Sequence, residues 1–536
     1  MDGRRASANH EADIALANLG YKGELPRNLK MISVLGLSFA IMAVPYGWST
    51  TMSIGLVNGQ SVTLLYGWTL VSLISLCIAA SLAEICAVYP TAGGVYYWSA
   101  MLSSPRWAPA VSFIDGWLTL VGNWTITLSI NFGGAQLIIS AVYLFNENYE
   151  IQPWHTVVCF WAIMLVCALV NAFGSRYLDL INKVCIYWTG ASVLIILITL
   201  LTMADTRRSG KFVFGHYDAT GSGWPSGWSF FVGLLQPAYV LTGYGMVAAM
   251  CEEVQNPERE VPKAIVLSVA AAGVTGLLYL VPILFVMPDI TALLQEATDH
   301  TGGQPIGLLF KKVTGSTAGG FGLLFLILGI LMFAGIGALT ASSRCTYAFA
   351  RDGAIPGYKL WSKVSKRLDV PVWGIILSTV VNCLLGCIYF GSPTAFNSFT
   401  GVGTICLSAS YAVPVMVNLV QRRSHVKNSP FSLGRFGVFI NGVCAVWIFF
   451  AIVIFCMPQT LPVDAAHMNY ASVVFAGFAA IAGLWYILHA RKNFTGPPIL
   501  RKESAGHGIS QGLAPQDSTG QMTDSETPTH LEKDLK

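Results

Sequence analysis

Residues 31–56, MISVLGLSFAIMAVPYGWSTTMSIGL, set a conflict that any fold of this chain has to resolve. The stretch is apolar and exceeds the ~20 residues that cross a bilayer. Yet Pro45, Gly47 and the hydroxyls of Ser49, Thr50 and Thr51 stand at its centre. Pro45 removes a backbone donor and clashes with the turn before it, so an unbroken helix is not expected. Unwound backbone at membrane depth survives only where protein buries it or a wet cavity adjoins it. The break therefore points to a substrate cavity, with a ligand-free proline kink as the plain alternative.

Charged residues make up 11% of 536 positions and hydrophobic ones 54%. A soluble domain carries about 25% charge, so the chain reads as an all-α polytopic membrane protein. A net charge of +4 gives no ground for a nucleic-acid partner. The twelve cysteines lie almost entirely in apolar runs without a C-x-x-C pair, and the nine histidines have no partners at metal-ligand spacing. No structural metal or cofactor is expected.

Further apolar runs at 62–87, 110–145, 154–173, 177–203, 228–251, 262–287, 319–350, 372–390, 394–420, 438–457 and 471–490 bring the spans to twelve. Residues 1–30 lack an apolar core, which argues against a cleavable signal peptide and makes them an N-terminal tail. Residues 204–227 form a polar loop, and the polar residues 491–536 are expected to be disordered. With twelve spans, 24 Lys and Arg fall on the side shared by both ends and 5 on the other. That asymmetry predicts cytoplasmic termini and an extracellular 204–227 loop. The plasma membrane is the default address and the vacuolar membrane the alternative.

The sixth span repeats the oddity of the first: V-L-T-G-Y-G-M at 240–246 puts two glycines mid-membrane. Each costs a helix interior about 1 kcal/mol relative to alanine, so the pair marks a weak point. Broken spans five apart, one running outward and the other inward, suggest two five-helix units related by inversion. Residues 31–203 would hold helices 1–5, residues 228–420 helices 6–10, and residues 438–490 two further helices. Such folds hold a midplane site between discontinuous helices. A chance pair of kinks is the alternative.

Three motifs then stand in order: S-L-A-E-I-C-A-V-Y-P-T-A-G-G-V-Y-Y-W at 81–98, C-E-E-V-Q-N-P-E-R-E-V-P-K-A-I at 251–265 and S-R-C-T-Y-A-F-A-R-D-G-A-I-P at 343–356. Together they resemble the amino acid-polyamine-organocation transporters, most of all the fungal amino acid/choline/GABA permeases, over roughly residues 25–490. A carboxylate near the bilayer edge needs a partner or water. Glu84 and Glu252 are therefore candidate inner-gate residues, paired with a base such as Arg344 or Arg351, while Glu253 and Glu258 are expected to be interfacial. Gly93 and Gly94 let their loop lie close under the bundle, with Tyr96, Tyr97 and Trp98 as interfacial anchors.

The resemblance implies a substrate site at Ala43, Val44, Pro45, Tyr46 and Gly47 of span 1 and at Val240, Thr242, Gly243, Tyr244 and Gly245 of span 6. In the family, span 1 amides meet a carboxylate, while span 6 carbonyls and an aromatic, here Tyr244, meet the amine. A helix N-terminus suits the anion. For a quaternary amine such as choline, Tyr46, Trp48, Trp124 and Tyr244 offer aromatic faces. Asn123 adds a polar contact or, equally, an interhelical hydrogen bond. Proton-coupled relatives carry a lysine in mid-span 5 where this chain has Thr189, and Lys183 lies nearer the cytoplasmic end. A neutral threonine cannot carry a proton, so any coupling proton needs another group.

The resemblance thus implies a LeuT-like secondary transporter of a small amino compound, not an enzyme, with the lipid bilayer and its substrate as partners. Amino acids, GABA, choline and polyamines are all open. A receptor that kept the fold without transport is the rival from another class. It would bind ligand without accumulation. H-E-x-x-H and G-x-x-x-x-G-K-[ST] are absent, which removes the usual parts of a zinc protease or an ATP-driven pump.

Overall fold

A computed structural model describes residues 13–498 except 15, 23, 26, 28, 392–394 and 464–467, and leaves out the side chains of 395–397. Among the described residues it contains twelve helices long and apolar enough to cross a membrane. In chain order, spans 1 to 6 are Met31–Val57, Gln60–Val88, Ala108–Phe145, Pro153–Phe173, Ser175–Met203 and Ser226–Glu253. Spans 7 to 12 are Pro257–Phe285, Thr317–Arg351, Val372–Phe390, Ser398–Val420, Gly434–Ile454 and Ala471–Asn493. The expected twelve-span count therefore stands, and most of the tail from 491 lies outside the described residues.

Packing partners repeat with a five-helix offset. Span 2 lies along span 7 and span 3 along span 8. Span 3 packs on span 4 as span 8 packs on span 9, and span 1 packs on spans 5 and 7 as span 6 packs on spans 10 and 2. This is the five-plus-five arrangement, with spans 11 and 12 added at the outside. Spans 1 and 6 are the most enclosed, with 83% and 89% of their most apolar windows buried, whereas span 12 has 6%. The helices that the sequence breaks are thus those the bundle wraps, which is where freed backbone groups can be tolerated.

Polar side chains join the helices without leaving the apolar medium. Ser38 of span 1 donates to Ser268 of span 7 at 2.8 Å, and Thr340 of span 8 donates to Asn171 of span 4 at 2.6 Å. Such bonds contribute about 0.6 kcal/mol each in a membrane bundle, so they orient helices more than they drive association.

Between spans 2 and 3 a short helix, Val95–Leu102, tucks under the bundle. Gly94 before it has φ 54°, and a Cβ there would stand 3.1 Å from the Ala248 Cβ of span 6. The close approach expected of the glycine pair is present, but the anchoring role of the aromatics is not. Tyr96, Tyr97 and Trp98 are fully buried under the bundle instead of lying at the interface.

Candidate substrate site

Span 1 is broken at one residue. The half-helix Met31–Met42 ends at Ala43, whose φ of 41° and ψ of 51° are left-handed, and Val44–Val57 starts afresh. Pro45 sits in the first turn of this second half, where a missing N–H costs nothing. The break therefore falls just before V-P-Y-G-W-S-T and not within it, a correction to the sequence expectation. Ser49 donates back to Pro45 O at 2.6 Å and Thr51 to Gly47 O at 2.7 Å, within a continuous helix. Around Ala43, the first-turn amides of Val44 and Tyr46 and the last carbonyls of the preceding half lack intrahelical partners by geometry.

Span 6 opens more widely. Leu235–Val240 ends, Leu241 to Gly243 are non-helical, and a ten-residue 3₁₀ run, Tyr244–Glu253, continues. Gly243 has φ 100°, which an L side chain resists. Long 3₁₀ runs are uncommon and often mark hinges.

The two breaks face each other across a cavity of about 10 Å³. That is room for about one water, so the site is closed down. Of the expected residues, Ala43, Tyr46, Gly47, Val240 and Thr242 line it. Ile41, Met42, Ile126, Ile130 and Tyr239 also line it and were not foreseen. Ile126 and Ile130 are one turn apart on span 3, a spacing that would have flagged them had the facing side been known. Tyr46 donates its hydroxyl to Ile130 O. The Tyr239 hydroxyl is buried without a hydrogen-bond partner.

The other expected residues lie outside the lining. Val44 and Pro45 are buried beside the break. Tyr244 packs on Tyr411 with ring centroids 5.4 Å apart, and a Cβ on Gly245 would meet the same ring. Asn123 donates to Thr119 O of its own helix at 2.7 Å, neither reaching the cavity lining nor bridging helices. Trp48 packs edge-on against Tyr279, and Trp124 donates to Ser378 of span 9 at 3.2 Å. Of the four aromatics suggested for a quaternary amine, Tyr46 alone lines the cavity. Thr189 is buried on span 5, with Cys185 Sγ 3.9 Å from its hydroxyl.

Larger cavities lie toward the two ends of span 1. One of about 180 Å³ is lined by Thr50, Ser53, Gln136 and Gln304 together with the apolar Ile54, Val57 and Leu294, and by no charged side chain. The other, of about 220 Å³, lies on the face that carries the chain ends and is lined by Arg176, Asp179, Glu253 and Arg344. The central site separates them. It is therefore shut toward both faces.

The terminal face is sealed by ion pairs. Arg351 grips Glu252 through two bonds of 2.9 and 3.0 Å, and Ala92 N–H adds a third at 3.2 Å. Arg344 meets Glu253 at 2.8 Å, with side chains 1% and 11% exposed. Glu253 is thus a buried partner and not the interfacial charge expected, because the chain before span 1 covers it. Leu29 N–H donates to Glu253 O at 3.0 Å, and Gln255 N–H to Leu29 O at 3.0 Å. Glu258, by contrast, is exposed. Glu84 pairs at 2.6 Å with Arg423 beyond span 10, not with Arg344 or Arg351. It also accepts from Leu433 N–H at 2.8 Å, tying span 2 to the loop before span 11.

Asp352 completes the seal and was missed. It accepts from Tyr21 at 2.8 Å and from Tyr96 at 2.9 Å, linking the N-terminal segment to the short helix. Asp115 of span 3 holds the same helix by accepting from Ser99. Burial pushes the Asp352 carboxyl up to about 6, against the pull of Arg351 and the two tyrosine donors. An opened seal returns it to the ordinary range near 4. The closed form then binds the proton more tightly, so closure strengthens as pH on this face falls through about 6 and weakens as it rises. With a cysteine placed in the 220 Å³ cavity by Leu178→Cys, we expect Asp352→Asn to flatten the pH dependence of that thiol's labelling, relative to its own thiolate titration, between about pH 5 and 7.

Comparison with known proteins adds relatives to this geometry. The profile of a family described as amino acid permease matches residues 29–478. The chain is 36% identical to the amino-acid permease BAT1 of Arabidopsis thaliana, over 90% of this chain and 96% of that one. It is 35% identical to the polyamine transporter TPO5 of Saccharomyces cerevisiae, over 87% and 76%. It is 32% identical to the choline transporter of the same yeast, over 88% and 83%.

Proposed function

The chain belongs to the amino acid permease family, and from that premise we propose that it is a secondary active transporter moving a small amino compound by alternating access. It is a multi-pass membrane transporter and not an enzyme. In our reading the cargo is an amino acid, GABA or choline, with a polyamine as the second reading. The observation that carries this choice is the cavity lining. It holds aliphatic side chains, two tyrosines, one threonine and backbone ends, with no carboxylate among its residues. A polyamine brings several charges that need paired carboxylates. A single amine is met by carbonyl ends and aromatic faces.

Within that reading, the amides of Val44 and Tyr46 receive a carboxylate, and the carbonyl end of span 6 before Gly243, with Tyr46 and Tyr239, receives the amine. Glu252 with Arg351 and Glu253 with Arg344 hold the inner gate shut, and Glu84 fixes span 2 beside it. The terminal face is cytoplasmic, residues 204–227 face outward, and the plasma membrane is the address. The repeats are residues 31–203 and 228–420. Thr189 replaces a titratable lysine, so uptake is not driven by a proton carried there.

Uptake by cells lacking their own permeases tests this, using labelled GABA, choline, spermidine and a basic amino acid at two external pH values. We expect accumulation of a singly charged amine or zwitterion that excess spermidine does not inhibit. Accumulation of spermidine alone contradicts the cargo assignment. Binding without accumulation contradicts transport and favours a receptor. A severalfold rise at acid pH that Thr189→Ala abolishes contradicts the view of Thr189, whereas a rise that survives it assigns the coupling proton to another group.

A further inference from the structure

Asp115 of span 3 is the exception among the buried carboxyls. Glu84, Glu252 and Glu253 each pair with an arginine, and Asp352 lies under the pull of Arg351. Asp115 is 0% exposed, and no cation stands within ion-pair reach of it among the described residues. The Ser99 hydroxyl of the short helix donates to its Oδ2, while its Oδ1 has no hydrogen-bond partner. Span 8 sets the Cys345 thiol beside it and turns Arg344 and Arg351 away to Glu253 and Glu252. Spans 1, 4, 9, 10 and 12 and the helix Ile306–Thr314 also pack on span 3, and among the described residues none brings a charged or titratable group that acts on it. Ionised in this form, Asp115 would be a buried charge with one hydroxyl donor and no counter-charge. Such a group is relieved by holding a proton.

Two sets of contacts tie this carboxyl to the transport cycle. On the substrate side, the Cys345 thiol interacts with Asp115 and also with the Tyr411 hydroxyl of span 10. That hydroxyl stands at the span 6 break, 2.8 Å from where a Cβ on Gly245 would lie. A buried polar line therefore runs from the break to the acid. On the terminal side, Ser99 belongs to the short helix, which is bound into the seal through Tyr96 on Asp352 and, in the turn before it, through Ala92 N–H on Glu252. The helix that shields Asp115 is thus part of the gate. An ionisable side chain placed in this way inside a membrane bundle marks a proton or ion pathway.

We propose that closure of the seal takes up one proton, held on Asp115, and that each passage of the carrier through the closed form depends on it. Resting on the transport reading, this assignment makes Asp115 the titrating group that Thr189 is not. With the seal open, water reaches the carboxyl, which ionises as an ordinary aspartate. As the short helix closes over it, a proton from that water bonds to one carboxylate oxygen, and the neutral group needs no counter-charge. On reopening, the O–H bond breaks and the proton leaves to water on the terminal face. When the far side is open instead, Tyr411 and Cys345 connect the same carboxyl to the wet break. The closed form thus binds one proton more than the form open on the terminal face, so closure weakens as pH rises.

Exchange by the full-length protein in liposomes tests this, because every round of exchange passes through the closed form. Labelled GABA, choline and arginine are used in turn, with equal pH on both sides. None of the three changes charge appreciably between about pH 7 and 8, and Asp352, at about 6, has titrated below that range. The parent should slow ~5- to 10-fold over this step, since one proton allows at most about a tenfold change per pH unit. Asp115→Asn imitates the neutral carboxyl and still accepts from Ser99, so its exchange should change less than ~2-fold over the same step. Size-exclusion chromatography identifies a variant that fails to fold, and Asp115→Ser then takes its place. A parent rate that stays flat over this step, or a fall that persists in the folded variant, overturns the proposal. A parent that exchanges none of the three compounds overturns the transport reading beneath it.

Discussion

Replacing Gly243 by valine should reduce uptake at least ~20-fold while the protein remains folded in the membrane. Gly243 has φ 100°, and a Cβ there would lie 2.8 Å from Ile41 Cγ2 across the site. A β-branched residue at positive φ is a genuine outlier, and such strain costs of the order of 1–3 kcal/mol. Relief requires either re-forming helix through span 6 or pushing span 1 away, and each removes the facing carbonyl ends. Gly190 on span 5 is the control, since a Cβ there meets nothing within 4 Å. Gly190→Val should transport within about twofold of the parent, because surface changes clear of such features cost little. Full uptake by Gly243→Val would remove the span 6 break from the mechanism.

The second large effect belongs to the inner seal. Arg351→Ala leaves Glu252, 2% exposed, with one N–H donor and no counter-charge. Breaking a buried pair in this way costs ~3–5 kcal/mol, and 3 kcal/mol alone shifts a two-state equilibrium more than 100-fold. The closed form should lose to one open on the terminal face, seen as faster labelling of Leu178→Cys in the 220 Å³ cavity. Adding Glu252→Gln removes the stranded charge and should restore much of the slow labelling. If the single and double variants label at the parent rate, the pair does not hold the seal.

How much of this was written in the residues varies from element to element. The twelve spans were legible because runs of apolar residues report their own solvent. The break in span 6 was legible because Gly243 occupies a backbone conformation that few other residues accept. The break in span 1 was found but placed two residues late. Pro45 reads as a helix breaker, yet in a first turn it is a helix starter, and the left-handed residue is an alanine with no signature. Tyr239, Ile126 and Ile130 depend on how each helix is rotated about its axis, which uniformly apolar faces do not encode. The pairing of Glu84 with Arg423 was hidden for another reason. The motif carrying Glu84 stands in line with those carrying Glu252 and Arg344, but tertiary packing sends it to a different loop. Glu253 looked like a surface charge because nothing local shows that Leu29 covers it.

The central claim is that the two facing breaks form the cargo site. The most direct measurement is protection of a thiol at Val240→Cys, in a background without reactive native cysteines, from a small methanethiosulfonate reagent. The account predicts that the transported compound slows the reaction with a half-effect near its KM for uptake, while a Leu178→Cys thiol in the distant vestibule shows no such direct protection at low temperature. Modification of Val240→Cys at the same rate with and without saturating substrate would contradict it.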